Sequence, residues 1–220
     1  MIKGAIFDMD GTLLETMQMW NMAVENYVRS LGIEPKEDLG AVSFTMTIDI
    51  AAKYLIDNYG LDEMGLSAEE VAEGINAPAR EFYRTEAQPK PGARELMKVL
   101  CNKGIPIVVG TSSDREFVEL AMKRLDLLQY VTDIISCVDI GHTKAEPVLF
   151  NMAADIMGTK PEETWVFEDG LYSILTAKEN GYKTVGFYDE ASKADWEAIQ
   201  EAADINAIDC EHLDLEQLIN

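Results

Sequence analysis

Asp8-Met9-Asp10-Gly11-Thr12-Leu13-Leu14, directly after the largely apolar run from Ile2 to Phe7, is the stretch on which the reading of this chain turns. An apolar run of that length reads as a buried strand, and alternate side chains of an extended backbone share a face, so Asp8 and Asp10 can approach one reacting centre. Gly11 and Thr12 supply the turn. A carboxylate can act as a covalent nucleophile toward a phosphoryl group. A second carboxylate two residues on is placed to protonate the leaving oxygen and then to activate water. Taken alone, the same string also fits an ordinary Asp-Gly turn, so the residues downstream must decide between the two.

The 220 residues suit one domain or a core with an inserted module, and 47% hydrophobic residues supply a substantial core. Cys101, Cys137 and Cys210 are odd in number and widely spaced, with no C-x-x-C pair, which favours a reducing, cytoplasmic setting. The N-terminus opens on the strand rather than on a basic segment and apolar core, and no apolar run approaches the roughly 20 residues of a membrane span. A formal charge of -22 repels nucleic acid and anionic membranes. It also repels phosphate esters at long range, so any phosphate site must be cationic locally, through a metal ion, a lysine and backbone N–H groups.

From Thr16 to about Arg84 the pattern is helical, with Trp20, Val24, Tyr27, Val28 and Leu31 spaced by three or four and Gly32 closing the first helix. Further helices are expected over Ile48 to Tyr59 and Ser67 to Tyr83. Ser67 followed by Glu70 forms a capping-box signature, and Pro78 is a candidate kink or break. From Pro91 onward short apolar strands alternate with helices: helix Gly92 to Asn102, strand Ile105 to Val109, helix Asp114 to Leu125 and strand Thr132 to Ser136. The alternation continues with helix Glu146 to Met157, strand Thr164 to Phe167, helix Leu171 to Asn180, strand Lys183 to Phe187 and helix Ala191 to Ala203. This is the βα alternation of an α/β fold, a doubly wound, Rossmann-like parallel sheet, interrupted by an all-α insert. Residues 1–15 and 87–220 form the expected core and 16–86 the expected helical cap. Such sheets bind ligands beyond the carboxyl ends of their strands.

Three further polar groups fall at expected strand ends. Thr111, Ser112 and Ser113 lead into a helix whose N-terminus favours anions, and Ser113 could equally serve as a plain helix cap. Lys144 lies in the polar loop His142-Thr143-Lys144-Ala145-Glu146-Pro147. Glu168 and Asp169 follow a strand, and paired carboxylates there suit a magnesium site as well as a solvated face.

Together these motifs resemble, in the same order, those of the haloacid dehalogenase superfamily: the two aspartates of Asp8 to Thr12, the hydroxyl at Thr111, the lysine at Lys144 and the acidic pair Glu168-Asp169. Lys90-Pro91-Gly92, Thr111-Ser112-Ser113-Asp114 and Val166-Phe167-Glu168-Asp169, followed by Ala177 and Gly181, are similar to the subgroup with an α-helical cap between the first motif and the second strand. That subgroup holds phosphoglycolate phosphatase-like and β-phosphoglucomutase-like enzymes. The resemblance implies that Asp8 attacks phosphorus to give an aspartyl phosphate and that Asp10 serves as acid and then base. Thr111, Ser112 and Lys144 would bind phosphoryl oxygens. Mg²⁺ would be held by Asp8, the backbone carbonyl of Asp10 and Asp169, with Glu168 orienting its water ligands. The implied function is a magnesium-dependent phosphomonoesterase acting on a small phosphorylated metabolite, a sugar or polyol phosphate by expectation, beneath a closing cap.

The sequence also departs from the resemblance. Gly170 stands where serine or alanine is usual, and the lysine loop reads Lys-Ala-Glu-Pro. No Lys or Arg occurs between Asp38 and Ala52, where mutase-type relatives place an arginine for a second phosphate. Trp20, Phe44 and Met46 are candidate substrate contacts in the cap, and Trp20 at helical spacing fits the cap's own core as well. The alternatives are a β-phosphoglucomutase-like sugar phosphomutase, a phospho-aspartate switch of the receiver type and a silent binding protein. Asp10 and the cap count against the switch, and the complete set of reactive groups counts against the binding protein.

Overall fold

The computed structural model describes residues 2–43 and 46–219, so Phe44 lies outside the described residues. In chain order the elements are β1 (Gly4–Phe7), α1 (Met17–Ser30), α2 (Leu39–Ser43), α3 (Ile48–Tyr59), α4 (Ala68–Thr85), α5 (Ala93–Asn102), β2 (Ile107–Thr111), α6 (Arg115–Arg124) and β3 (Asp133–Ser136). After these come α7 (Cys137–Ile140), α8 (Val148–Met157), β4 (Thr164–Glu168), α9 (Leu171–Glu179), β5 (Lys183–Phe187), α10 (Trp196–Ala202), β6 (Ile205–Ala207) and α11 (Leu215–Ile219). Two compact units result, one of Met1–Thr16 with Ala87–Asn220 and the other of Met17–Glu86. Among the described residues no helix is long and apolar enough to cross a membrane.

The first unit is an α/β sheet of six strands in the order β3-β2-β1-β4-β5-β6, every neighbouring pair parallel. Strands β1, β2 and β4 are buried along their whole length, as expected of continuous apolar runs covered on both faces. Phe7 of β1 stacks on Phe167 of β4 with centroids 4.1 Å apart, and Phe187 of β5 extends the row at 6.3 Å. Each such ring removed from water contributes about 1.5–3 kcal/mol, so the row ties three adjacent strands at the middle of the sheet. From β1 the chain runs outward to β2 and β3 and then returns to β4 on the other side of β1. The order therefore reverses between β1 and β4, and the carboxyl ends of these two strands are where sheets of this kind bind their ligands.

The second unit is helical and has its own core, in which Val24, Tyr27 and Val28 of α1 pack with Leu55 of α3 and Val71 and Ile75 of α4. The capping box at the start of α4 is formed: Glu70 N–H donates to Ser67 Oγ at 3.2 Å, and Ser67 N–H donates to Glu70 Oε2 at 2.9 Å. Pro78 neither breaks nor splits α4, which runs from Ala68 to Thr85. Its ring is exposed. The buried face formed by Val71, Ile75, Ala79 and Tyr83 continues past it, and that packing offsets the one lost backbone bond.

Several boundaries differ from the sequence reading. Strand β2 begins at Ile107 because Ile105 N–H still bonds Leu100 O behind α5, and Pro106 has no N–H to offer the sheet. Helix α8 begins at Val148, since Pro147 biases Glu146 away from helical geometry. The expected helix from Ala191 to Ala203 consists of a 3-10 turn over Lys193–Asp195 followed by α10. Strand β6 and helix α11 have no counterpart in the sequence reading.

Candidate active site

Asp8 leaves the end of β1 with its N–H donating to Phe167 O of β4 at 2.9 Å. The chain then reverses at once. Leu13 and Leu14 N–H both donate to Met9 O at 2.9 Å, and Gly11 N–H donates to Leu14 O at 3.0 Å. Gly11 has φ 89°, and a Cβ built on it would lie 2.5 Å from Asp169 Oδ2. Only glycine permits both the left-handed turn and this approach to the carboxylate beyond the end of β4.

The two strand ends meet across the switch point. Lys144 Nζ, from the loop before α8, donates to Asp8 Oδ1 and to Glu168 Oε1, the latter at 2.5 Å. Ser173 Oγ of α9 also donates to Glu168 Oε1 at 2.7 Å, and Gly170 N–H donates to Glu168 Oε2 at 3.1 Å. Both oxygens of Glu168 are thereby engaged. Asp169 Oδ1 accepts from Thr12 Oγ1 at 3.1 Å. Asp8, Glu168 and Asp169 are buried and offer oxygens all within 4.8 Å of one another. This places Asp8, Lys144, Glu168 and Asp169 in one cluster.

The electrostatics arise from three buried carboxylates facing one ammonium. Burial, reinforced by Glu168 and Asp189, pushes the Asp169 carboxyl up to about 8. Burial also raises Asp8 well above the ordinary range; Lys144 opposes this, whereas Glu168, Asp169 and Asp10 add to it. Burial works against the Lys144 charge too, but Asp8 and Glu168 outweigh it and hold the ammonium protonated. The cluster is short of positive charge. An oxygen-only donor set with an unmet negative balance fits a hard divalent cation such as Mg²⁺.

Asp10 points its carboxylate elsewhere: Thr16 Oγ1 donates to Oδ1 and Ser113 Oγ to Oδ2, each at 2.6 Å. Ser113 is therefore not the helix cap, which is Asp114. Thr111 is buried at the end of β2, its Oγ1 accepting from Ser113 N–H at 3.0 Å, while Ser112 beside it is exposed. In the helical unit, Trp20 Nε1–H donates to Tyr83 Oη at 2.7 Å, and Met46 packs against that unit's own core.

The sequence reading did not include Thr16, Ser173 and Tyr172, nor the bond from Ser113 to Asp10. Ser173 lies on the first turn of α9, five residues after Glu168, a spacing that lets its hydroxyl reach back to the strand end. Thr16 reaches Asp10 only through the path of the turn. Tyr172 is 53% exposed, yet its hydroxyl lies within electrostatic reach of Lys144, Glu168 and Asp8. Desolvation of that hydroxyl, opposed by Lys144 and reinforced by the two carboxylates, pushes it up to about 12.

Over 202 residues the chain is 31% identical to validoxylamine A 7'-phosphate phosphatase of Streptomyces hygroscopicus subsp. limoneus, covering 92% of each chain. It is 27% identical to the fructose-1-phosphate phosphatase YqaB of Escherichia coli, over 83% of this chain and 94% of that one. The solved structure of a family IA, variant 3 HAD hydrolase from Entamoeba histolytica superposes with a TM-score of 0.82 over 99% of this chain and 98% of that one, at 20% identity, a likeness of fold. Residues 2–181 match the family described as haloacid dehalogenase-like hydrolase, and with the strand-end cluster in place the chain belongs to that family.

Proposed function

We propose that the protein is a magnesium-dependent phosphomonoesterase that hydrolyses a small phosphorylated metabolite, of the sugar or polyol phosphate class, through an aspartyl phosphate on Asp8. The observation that carries this reading is Asp8 at the switch point of the sheet, held by Lys144 and within 4.8 Å of Glu168 and Asp169 oxygens. Two relatives named as phosphatases, one of validoxylamine A 7'-phosphate and one of fructose 1-phosphate, support the substrate class.

Asp8, Asp169 and the backbone carbonyl of Asp10 would hold Mg²⁺, with Glu168 orienting its ligands. When bound, the ion supplies charge neutralisation that lets an anionic nucleophile and an anionic ester approach. An Asp8 oxygen then forms a bond to phosphorus as the bond from phosphorus to the leaving oxygen breaks, and Asp10 gives its proton to that oxygen. In the second step Asp10 takes a proton from water, the water oxygen bonds to phosphorus, and the Asp8 carboxylate departs. The hydroxyls of Thr16 and Ser113 keep the Asp10 carboxyl in one orientation through both transfers. Lys144 balances the Asp8 carboxylate before attack and the phosphoryl oxygens after it, and Thr111 and Ser112 line the same side. Trp20, Phe44 and Met46 are assigned to choice of leaving group.

The test is phosphate release from a panel of sugar phosphates, polyol phosphates, nucleotides and phosphoglycolate with Mg²⁺ and with chelator. Turnover that needs Mg²⁺ and disappears in Asp8→Asn is expected; undiminished turnover in chelator or in the variant refutes the proposal. A phosphomutase is the second reading, because the same chemistry serves it. The absence of Lys and Arg between Asp38 and Ala52 disfavours it, since holding a bisphosphate by its remote end needs a cationic grip. Bisphosphate-primed isomerisation of β-glucose 1-phosphate with little free phosphate would establish it instead.

A further inference from the structure

Ser113 lies in the turn between β2 and α6, and its hydroxyl meets Asp10 Oδ2 at 2.6 Å. A serine in a turn aims its hydroxyl reliably only if its backbone is held. Here the peptide groups on both sides are pinned: Ser113 N–H donates to Thr111 Oγ1 at 3.0 Å, and Ser113 O accepts from Ser136 Oγ at 2.8 Å. Fixing both peptides fixes the Cα–Cβ direction, so a single staggered torsion is left to place Oγ against Asp10.

Ser136 is the last residue of β3, is 1% exposed and stands opposite Thr111 in the parallel pairing of β2 with β3. Its hydroxyl accepts from Val138 N–H at 3.1 Å, which caps α7. A cap needs only that lone pair. The one hydroxyl proton is turned the other way, onto a carbonyl 23 residues earlier in the chain, and a carbonyl can only accept. Strands β3, β2 and β1 are consecutive in the sheet, so Ser136, Ser113 and Asp10 form a hydrogen-bonded line across their carboxyl ends.

We propose that Ser136 is a positioning residue for proton transfer: its hydroxyl holds the Ser113 carbonyl, Ser113 holds Asp10 Oδ2, and the Asp10 carboxyl is thereby kept in place for the leaving oxygen. This role deepens the phosphatase reading and rests on it for what Asp10 does.

The experiment is hydrolysis of two esters by the Mg²⁺-loaded protein, with crystal structures of the wild type and Ser136→Ala. The alkoxide leaving from fructose 1-phosphate needs a proton, whereas p-nitrophenolate departs from p-nitrophenyl phosphate without one. Ser136→Ala should lower kcat/KM for the sugar ester about tenfold, the order expected from one lost hydrogen bond and a slightly misplaced acid. For the aryl ester kcat/KM should stay near the wild-type value. Ser136→Thr, which keeps the hydroxyl, should recover the sugar ester. Adding Ser136→Ala to Ser113→Ala should cost nothing more, because the link it breaks is already gone. Equal losses on both esters, or losses that add in the double variant, overturn the proposal. The crystal structures decide the link independently of turnover: Asp10 parted from Ser113 Oγ in Ser136→Ala supports it, and the same bond kept at its wild-type length overturns it. Failure of the phosphatase reading looks different, since the wild type would then release phosphate from neither ester.

Discussion

Replacing Lys144 by Met removes the ammonium from three buried carboxylates while keeping most of the side-chain volume. Lys144 is 2% exposed and is hydrogen-bonded to both Asp8 and Glu168, so nothing in water replaces it when the charge goes. Breaking a buried pair from one side costs about 3–5 kcal/mol, which for a chain of this size lowers the melting temperature by roughly 6–20 °C. The loss should depend on pH. Lys144 has its value raised above 10.5, so its contribution is fully present below 10.5 and is lost only as pH rises through the higher folded value; from pH 5 to 8 it stays charged. An acid raised in the fold has the same sign in a lower window: Asp169, raised from 3.8 to about 8, loses stability progressively as pH climbs between those values. Without Lys144 the carboxylates escape part of the penalty at pH 5 by protonation, and the deficit should widen toward pH 8. Thermal unfolding followed by circular dichroism in chelator, at pH 5 and pH 8, measures it. A Lys144→Met protein that melts with the wild type at pH 8, or shows the same deficit at both pH values, refutes the reasoning. Adding Asp8→Asn to Lys144→Met should restore most of the loss, because it removes one of the charges left unpaired.

Asp10→Asn should lower kcat by roughly 10²–10⁴, the usual contribution of positioned proton transfer, and leave Mg²⁺ affinity nearly unchanged; calorimetry showing abolished Mg²⁺ binding would make its side chain a ligand instead. Ser113→Ala, which removes the Ser113 hydroxyl from Asp10 Oδ2, should reduce kcat more than it raises KM, and an effect on KM alone would detach Ser113 from proton transfer. Asp204 lies away from the site. Burial works to raise its carboxyl, but the Thr184 N–H, Lys178 and Lys183 outweigh it and hold it below the usual range. Its stabilisation is therefore present above about pH 4 and lost as pH falls through the lower folded value. Urea unfolding should find Asp204→Asn weaker than the wild type at pH 6 and equal to it near pH 2, and a constant difference would contradict the assignment.

Much of the architecture was legible because the strands of a parallel sheet are buried on both faces and read as apolar runs, as Ile107–Thr111 and Thr164–Glu168 do. The ends were less legible, since Pro106 and Pro147 shift boundaries through missing N–H groups and restricted neighbours rather than through hydrophobic pattern. Strand β6 was not legible at all: of its three residues only Ala207 is buried, too little for a periodic signal. In the site, Asp8, Glu168 and Asp169 announce themselves as charged residues at the ends of apolar strands, whereas Lys144, in the polar loop before α8, stands out only through the order of the motifs. The neutral partners do not, because Thr16, Ser113, Ser173 and Tyr172 are ordinary residues of loops and first helical turns until the crossing of β1 and β4 brings them against the carboxylates.

The central claim is that hydrolysis proceeds through two displacements, the first by Asp8. Stereochemistry at phosphorus tests it without requiring the intermediate to accumulate. A thiophosphate monoester made chiral with oxygen isotopes, hydrolysed by the Mg²⁺-loaded protein in isotopic water, reports each in-line attack as one inversion. Two attacks, Asp8 and then water, predict thiophosphate formed with net retention; net inversion would mean that water attacks the ester directly and that Asp8 is not the nucleophile.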